Sequence, residues 1–134
     1  MLLHLVRPIV PNTAVMASLP WVRELVNTRV AWETWLEIHP EDADRLELAD
    51  GDVVRVSVGR RSFVARAILT TSVQPGLVSA PYGLGRQAGG RWARMRGTNP
   101  NVVIVPEFDK IAGTTEWQGT KVRISPAEKG VLHA

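Results

Sequence analysis

Residues 81–101, P-Y-G-L-G-R-Q-A-G-G-R-W-A-R-M-R-G-T-N-P-N, hold five glycines and four arginines and no carboxylate. Glycine lets backbone N–H groups approach a ligand closely, and arginine offers a planar fork of donors that matches phosphate. Residues of these types at this density suit an anionic, phosphorylated partner. The surrounding charge points the same way. No Asp or Glu occurs between Asp52 and Glu107, whereas Arg55, Arg60, Arg61, Arg66, Arg86, Arg91, Arg94 and Arg96 all fall in that interval. Residues 1–52 carry nine carboxylates against four basic side chains, so the overall charge of +3 conceals a strongly basic middle.

Within this stretch each residue has a functional reading and a plain one. Backbone N–H groups of Gly83, Gly85 and Gly90 could approach a pyrophosphate, or the glycines could simply serve tight turns in a crossover loop. The spacing G-x-G-x-x-x-G from Gly83 to Gly89 is not the dinucleotide fingerprint, and no long helix follows, which argues against a Rossmann site. Arg86, Arg91, Arg94 and Arg96 could each contribute about 1.5–3 kcal/mol to a shielded phosphate or acidic partner; the alternative is a solvated basic face. A helical turn over residues 91–95 would set Arg91 and Arg94 on one side. Thr98, Asn99 and Asn101 flank Pro100, where amides can read a heterocyclic edge through paired donor and acceptor groups, although Asn-Pro is also ordinary turn chemistry. Tyr82 would either stack on or hydrogen-bond to a ligand ring, or cap a strand end.

Other chemistry is sparse. His4, His39 and His133 lie far apart and lack the neighbouring carboxylates of a metal site or triad, so no catalytic or metal-binding residue is expected. Zero cysteines exclude disulfides, iron–sulfur ligation and thiolate metal sites. Trp21, Trp32, Trp35, Trp92 and Trp117 read as core and interface anchors. Asp50 and Asp52 are explained by a turn at Gly51. Only Tyr82 and Trp92 interleave with the arginines, so nucleic acid, whose binding would fall steeply with salt, is not the expected partner.

The elements that must position the loop follow from pattern. A chain of 134 residues suits one domain with a proper core. No run of about 18 apolar residues exists to span a bilayer. Arg7, Pro8 and Pro11 interrupt the apolar start, so residues 1–18 read as an extended arm and not as a secretory signal. Trp32, Thr34, Leu36 and Ile38 alternate with Glu33, Trp35, Glu37 and His39, a strand pattern. Pro40 suits the first position of a helix whose first turn holds Glu41, Asp42 and Asp44, and whose short apolar face is Ala43, Leu46 and Leu48. Residues 53–58 and 62–70 around Gly59-Arg60-Arg61 form a hairpin. Turn residues Gln74-Pro75-Gly76 precede a strand at 77–80, and 102–105 and 121–125 supply two more. Five or six short strands with one convincing helix make a mainly β chain, a small barrel with one long loop. A self-processing enzyme on such a barrel would need a Gly-Ser dipeptide, which is missing.

Three blocks in order carry a family resemblance: E-I-H-P-E-D-A-D-R-L-E-L-A-D-G-D-V-V-R-V (37–56), Q-P-G-L-V-S-A-P-Y-G-L-G (74–85) and G-R-W-A-R-M-R-G-T-N-P-N (90–101). The chain resembles the C-terminal molybdopterin dinucleotide-binding domain of the molybdopterin oxidoreductase (dimethyl sulfoxide reductase) superfamily. L-P-W-V-R-E-L (19–25) with Trp32 and Trp35 is similar to the polysulfide reductase and alternative complex III-like branch. The resemblance implies a double-psi β-barrel of six short strands and one or two short helices over 19–125, with a tail at 126–134. It implies contact with molybdopterin guanine dinucleotide through Tyr82, Gly83, Gly85, Arg86, Gln87, Gly90, Arg91, Arg94, Thr98, Asn99 and Asn101. The cofactor would be shared with a larger catalytic subunit or domains that supply the molybdenum ligand, an iron–sulfur subunit being a further partner. This chain itself would hold no iron–sulfur cluster and would not be catalytic alone. Related sequences of that branch often carry histidine where Arg86 stands, and some members have lost the cofactor, so the alternative is a cofactor-free scaffold in a respiratory membrane complex. The compartment stays open: cytoplasmic by default, membrane-peripheral or periplasmic if exported with a partner.

Overall fold

Alternation of apolar and polar side chains governs the architecture, because a strand presents every second residue to the same face. The computed structural model describes residues 1–7, 19–22, 33–87, 91, 94 and 96–127. Among them run β1 (Leu2–Val6), β2 (Trp35–Ile38), helix α1 (Pro40–Arg45), β3 (Val53–Val58), β4 (Arg61–Leu69), β5 (Leu77–Pro81), a 3-10 helix (Pro100–Val103), β6 (Glu107–Phe108), β7 (Thr115–Glu116), β8 (Thr120–Lys121) and β9 (Arg123–Pro126). The protein is mainly β with few helices.

Seven strands form one sheet in the order β8-β1-β5-β2-β4-β3-β9, while β6 and β7 make a separate hairpin. The β1–β5 and β2–β4 pairs are parallel and the others antiparallel. Strands β8 and β9 occupy opposite margins of that order, yet only Val122 separates them in sequence. One residue cannot cross a flat seven-stranded sheet whose strands lie about 4.8 Å apart. The sheet therefore curls until its margins approach, a half-barrel around one core. Val122 continues the seam, its N–H donating to Met1 O at 2.9 Å and its carbonyl accepting from the Met1 amino group at 3.1 Å.

Into this curl point Leu3 and Leu5, Leu36 and Ile38, Val54 and Val56, Ala65 and Ala67, and Val78 and Ala80, all buried and all two residues apart on their strands. Each large aliphatic side chain so placed contributes about 1.5–3 kcal/mol. Helix α1 starts as its sequence implies, with Pro40 in its first turn and the His39 side chain accepting the Glu41 N–H at 3.3 Å. Asp42 does more than favour the helix dipole. Its buried carboxylate accepts the Gly76 N–H and pairs with Arg45 at 3.1 Å, fastening the turn before β5 to the helix. The Asp50-Gly51-Asp52 turn is fastened by its carboxylates: Asp50 accepts from Leu69 N–H on β4 and Asp52 from Ala49 N–H.

Three expectations differ from the structure. The start of the expected arm is β1, flanked by β5 and β8, because Leu3 and Leu5 alternate with exposed Leu2 and His4 and so have a face to bury. The strand expected at 102–105 gives way to the 3-10 helix, since Pro100 presets the backbone at its start and the Asn99 side chain accepts the Asn101 N–H at 3.1 Å. The strand expected at 121–125 is two strands broken at Val122, each serving a different margin. Of the expected tail, Pro126 still belongs to β9, and 128–134 lie outside the described residues.

Candidate functional site

The loop between β5 and the 3-10 helix has a tightly fixed base. Tyr82 leaves β5 with its N–H on Val6 O at 3.1 Å, and its ring meets Trp117 edge-on, with centroids 6.1 Å apart at 88°. Gln118 next to that tryptophan both donates to Leu5 O and accepts from Leu5 N–H, each at 2.9 Å, so a side chain extends the β1–β8 ladder. The loop's two limbs then meet. Gly85 N–H donates to Arg96 O at 3.1 Å, and Arg86 and Arg94 form an isolated parallel bridge. At Gly85, with φ +73°, an added Cβ would lie 2.3 Å from Asn99 N and from Thr98 C, so only glycine permits the crossing.

Below the crossing, Thr34 is fully buried. Its hydroxyl donates to Thr98 O at 2.8 Å and accepts the Thr98 N–H at 2.9 Å. The Thr98 hydroxyl in turn donates to Val64 O on β4. Gly97, with φ +67°, lies so close that a Cβ there would stand 2.8 Å from Thr34 Oγ1.

The arginines of the acid-free interval divide by setting. Arg66 takes both Glu33 oxygens, at 2.5 and 3.1 Å, and Gly51 O at 2.9 Å. Hydrogen bonding to Glu33 holds its guanidinium even further above the ordinary value. Arg55 donates to Ser62 Oγ at 3.2 Å and Arg61 to Ile104 O at 3.1 Å. Arg86 and Arg94 are exposed and make no side-chain hydrogen bond or ion pair among the described residues, and Arg91 and Arg96 are exposed as well. Their rim is open. A cavity of about 560 Å³ lies elsewhere, lined by Val58, Val105, Glu107, Glu116, Gln118 and Lys121 among others, with carboxylates unsuited to a polyanion.

Exposed guanidinium groups thus stand above a base closely packed at Gly85 and Gly97. A family model for the molybdopterin dinucleotide binding domain matches residues 11–121. The chain belongs to this family. It is 36% identical over 104 residues to the arsenate respiratory reductase molybdopterin-containing subunit ArrA of Chrysiogenes arsenatis, covering 71% of this chain and 12% of that protein. It is 30% identical over 118 residues to the ArrA subunit of Shewanella sp. (strain ANA-3), covering 81% of this chain and 14% of that protein. The chain thus spans about an eighth of these relatives. Acetylene hydratase from Pelobacter acetylenicus shares the fold at a TM-score of 0.75 and 16% identity, over 95% of this chain and 18% of that one.

This molybdopterin dinucleotide-binding domain brings Tyr82, Gly83, Gly85, Arg86 and Gln87 on one limb against Arg94, Thr98 and Asn99 on the other, with Asn101 on the 3-10 helix. Gln87 and Asn101 are exposed. Gly90 lies outside the described residues, as do Trp32, Trp92 and His133. Of the helical turn expected over 91–95, residues 92, 93 and 95 lie outside the described residues, and Arg94 takes part in the bridge to Arg86. Thr98 faces inward, its hydroxyl donor spent on Val64 O. The described tryptophans are not core anchors: Trp21 is 60% and Trp117 40% exposed, and Trp35 is half-buried with its ring N–H on Glu37 at 3.3 Å. Branched aliphatics, alanines and Phe63 form the core instead. Sequence reasoning missed Thr34 and Gln118 as structural anchors. For Thr34 a signal existed, a lone polar residue in the inward phase of Leu36 and Ile38. Among the described residues no cluster of potential metal ligands occurs, and no helix is long and apolar enough to cross a membrane.

Proposed function

We propose that this chain is the part of a molybdopterin-dependent oxidoreductase that holds the dinucleotide end of molybdopterin guanine dinucleotide, with Arg86 and Arg94 on the phosphates and Asn99 and Asn101 toward the heterocycle. The observation that carries this reading is the pair of bridged, exposed arginines above a base that glycine alone permits. The residues fit the group: Arg86 and Arg94 are positively charged donors without a competing carboxylate among the described residues, and their limbs meet at Gly85, so they suit a pyrophosphate. Tyr82, Gly83, Gly85, Gln87 and Arg91 complete the surface, and the family resemblance adds Gly90 to the contacts. Thr98 supports it from beneath.

When bound, the cofactor supplies the metal at which electrons are exchanged; this chain orients its nucleotide and shields one side from water. The open rim fits a ligand whose other side is covered by a larger catalytic subunit or further domains, which also carry the metal ligand, an iron–sulfur subunit being a further partner. We read the curled sheet as a double-psi β-barrel and the chain as closest to the polysulfide reductase and alternative complex III-like branch. A second reading, a cofactor-free scaffold, draws support from the apolar tip near β6 and β7, where Phe108 is 68% and Ile111 98% exposed, a surface that suits another polypeptide with or without cofactor.

Guanosine diphosphate is a direct probe of the nucleotide end. Calorimetric titration should show binding that weakens about tenfold or more in the Arg86→Ala/Arg94→Ala double variant. No saturable binding by the unaltered chain would leave the scaffold reading standing.

A further inference from the structure

The loop's lower limb is held by one side chain that the family match does not single out. Thr34 precedes β2, and its own carbonyl accepts the Arg66 N–H at 2.9 Å, so its backbone is tied to β4. Its hydroxyl then supplies both a donor and an acceptor to the single residue Thr98. A threonine hydroxyl has one proton to give and two lone pairs to offer. Here it does for Thr98 what a neighbouring strand's backbone would do, completing both its N–H and its carbonyl. Thr98 returns the link by donating to Val64 O, also on β4. Gly97 on one side and Gly85 on the other pack so closely that each would collide on acquiring a Cβ.

We propose that Thr34 is a positioning residue for the ligand face: it sets the height and orientation of the limb that carries Arg94, Asn99 and Asn101, without touching the ligand. The inference rests on the reading of this loop as the nucleotide-holding surface. The two bonds are local to residue 98, while β2 and β4 keep their own ladder pairing of Trp35 to Arg66 through Ile38 to Leu69. Removing the hydroxyl therefore loosens the limb and spares the sheet.

The test compares the 134-residue chain with Thr34→Val, which keeps the shape and loses the hydroxyl, and Thr34→Ser, which keeps the hydroxyl. Guanosine diphosphate titration should show roughly tenfold weaker binding for Thr34→Val and recovery to within about threefold of the original for Thr34→Ser. Amide hydrogen exchange should quicken at Thr98 and Asn99 in Thr34→Val and stay unchanged at Leu36 and Ile38. Should the valine variant not fold, Thr34→Cys, with its weak donor, is expected to show the same loss. Unaltered affinity in Thr34→Val, or equal losses in the valine and serine variants, would overturn the positioning role while leaving the ligand reading intact. Absence of binding by the unaltered chain would overturn both.

Discussion

Two groups of arginines drawn from one acid-free interval meet different fates. Arg55, Arg61 and Arg66 lie on β3 and β4, where the sheet brings Ser62, the Ile104 carbonyl, Gly51 and Glu33 within reach, and each guanidinium is engaged. Arg86 and Arg94 lie on the loop, bridged to each other through backbone, with their side chains in solvent. The difference shows that charge density alone does not mark a binding face. A strand surrounds its side chains with acceptors, whereas a loop pinned by glycine at its base lifts them away from any. Donors left uncommitted by the fold are those available to a ligand.

The sharpest way to break this comparison is at the pinned base. Gly85→Ala forces a Cβ into backbone atoms 2.3 Å away and onto a positive φ, a clash that no rotamer change relieves. The expected cost is about 3 kcal/mol or more, together with loss of nucleotide binding. Urea denaturation read by tryptophan fluorescence measures the first and titration the second. A Gly85→Ala protein as stable as the parent would show that the two limbs are not held as described.

The next effect separates the two arginine groups directly. Arg66→Ala leaves the Glu33 carboxylate and the Gly51 carbonyl without their partner in a half-buried setting, for an expected loss of about 2 kcal/mol in unfolding free energy. Arg86→Ala and Arg94→Ala, with no side-chain partner to lose among the described residues, should each stay within about 0.5 kcal/mol. If Arg86→Ala destabilised the chain as much as Arg66→Ala, the loop arginine would be a structural one and the contrast would collapse.

How far each region was legible in the sequence follows the same division. Alternation on β2, β3, β4 and β5 and the Pro40 helix start are local signals, and the hairpin and helix lie where they indicate. β1 was hidden because five residues with four apolar ones, followed by Arg7 and two prolines, look like an arm until a partner strand 75 residues later is known. The 3-10 helix at Pro100–Val103 won over a strand because an asparagine side chain capped it, a local contest that β-branched valines appeared to have settled. The loop's residue types pointed to its chemistry. Its base did not, because the Thr34–Thr98 contact spans 64 positions and depends on a side chain imitating a strand. Likewise, no spacing rule separates Arg66 from Arg86; only the fold that brings Glu33 beside one of them does.

The smallest expected effect sharpens the comparison from the acidic side. Asp109 is exposed like Arg86 and Arg94, yet it is engaged, accepting the N–H of Ala112 at 2.6 Å and of Ile111 at 2.9 Å. Those bonds, Ala112's first, hold its carboxyl below the usual range. A depressed carboxyl stabilises the folded turn at pH above the unfolded value of about 3.9, and that contribution disappears as pH falls through the lower folded value. Acidification should therefore speed amide exchange at Ala112, relative to its intrinsic rate, and leave Gly85 and Thr98 protected, because hydroxyl, carbonyl and glycine contacts at the loop base do not titrate. Asp109→Asn keeps an acceptor oxygen and abolishes the pH response. Loss of protection at Thr98 together with Ala112 would mean that the loop base depends on a carboxylate after all, and that the two regions are not independent.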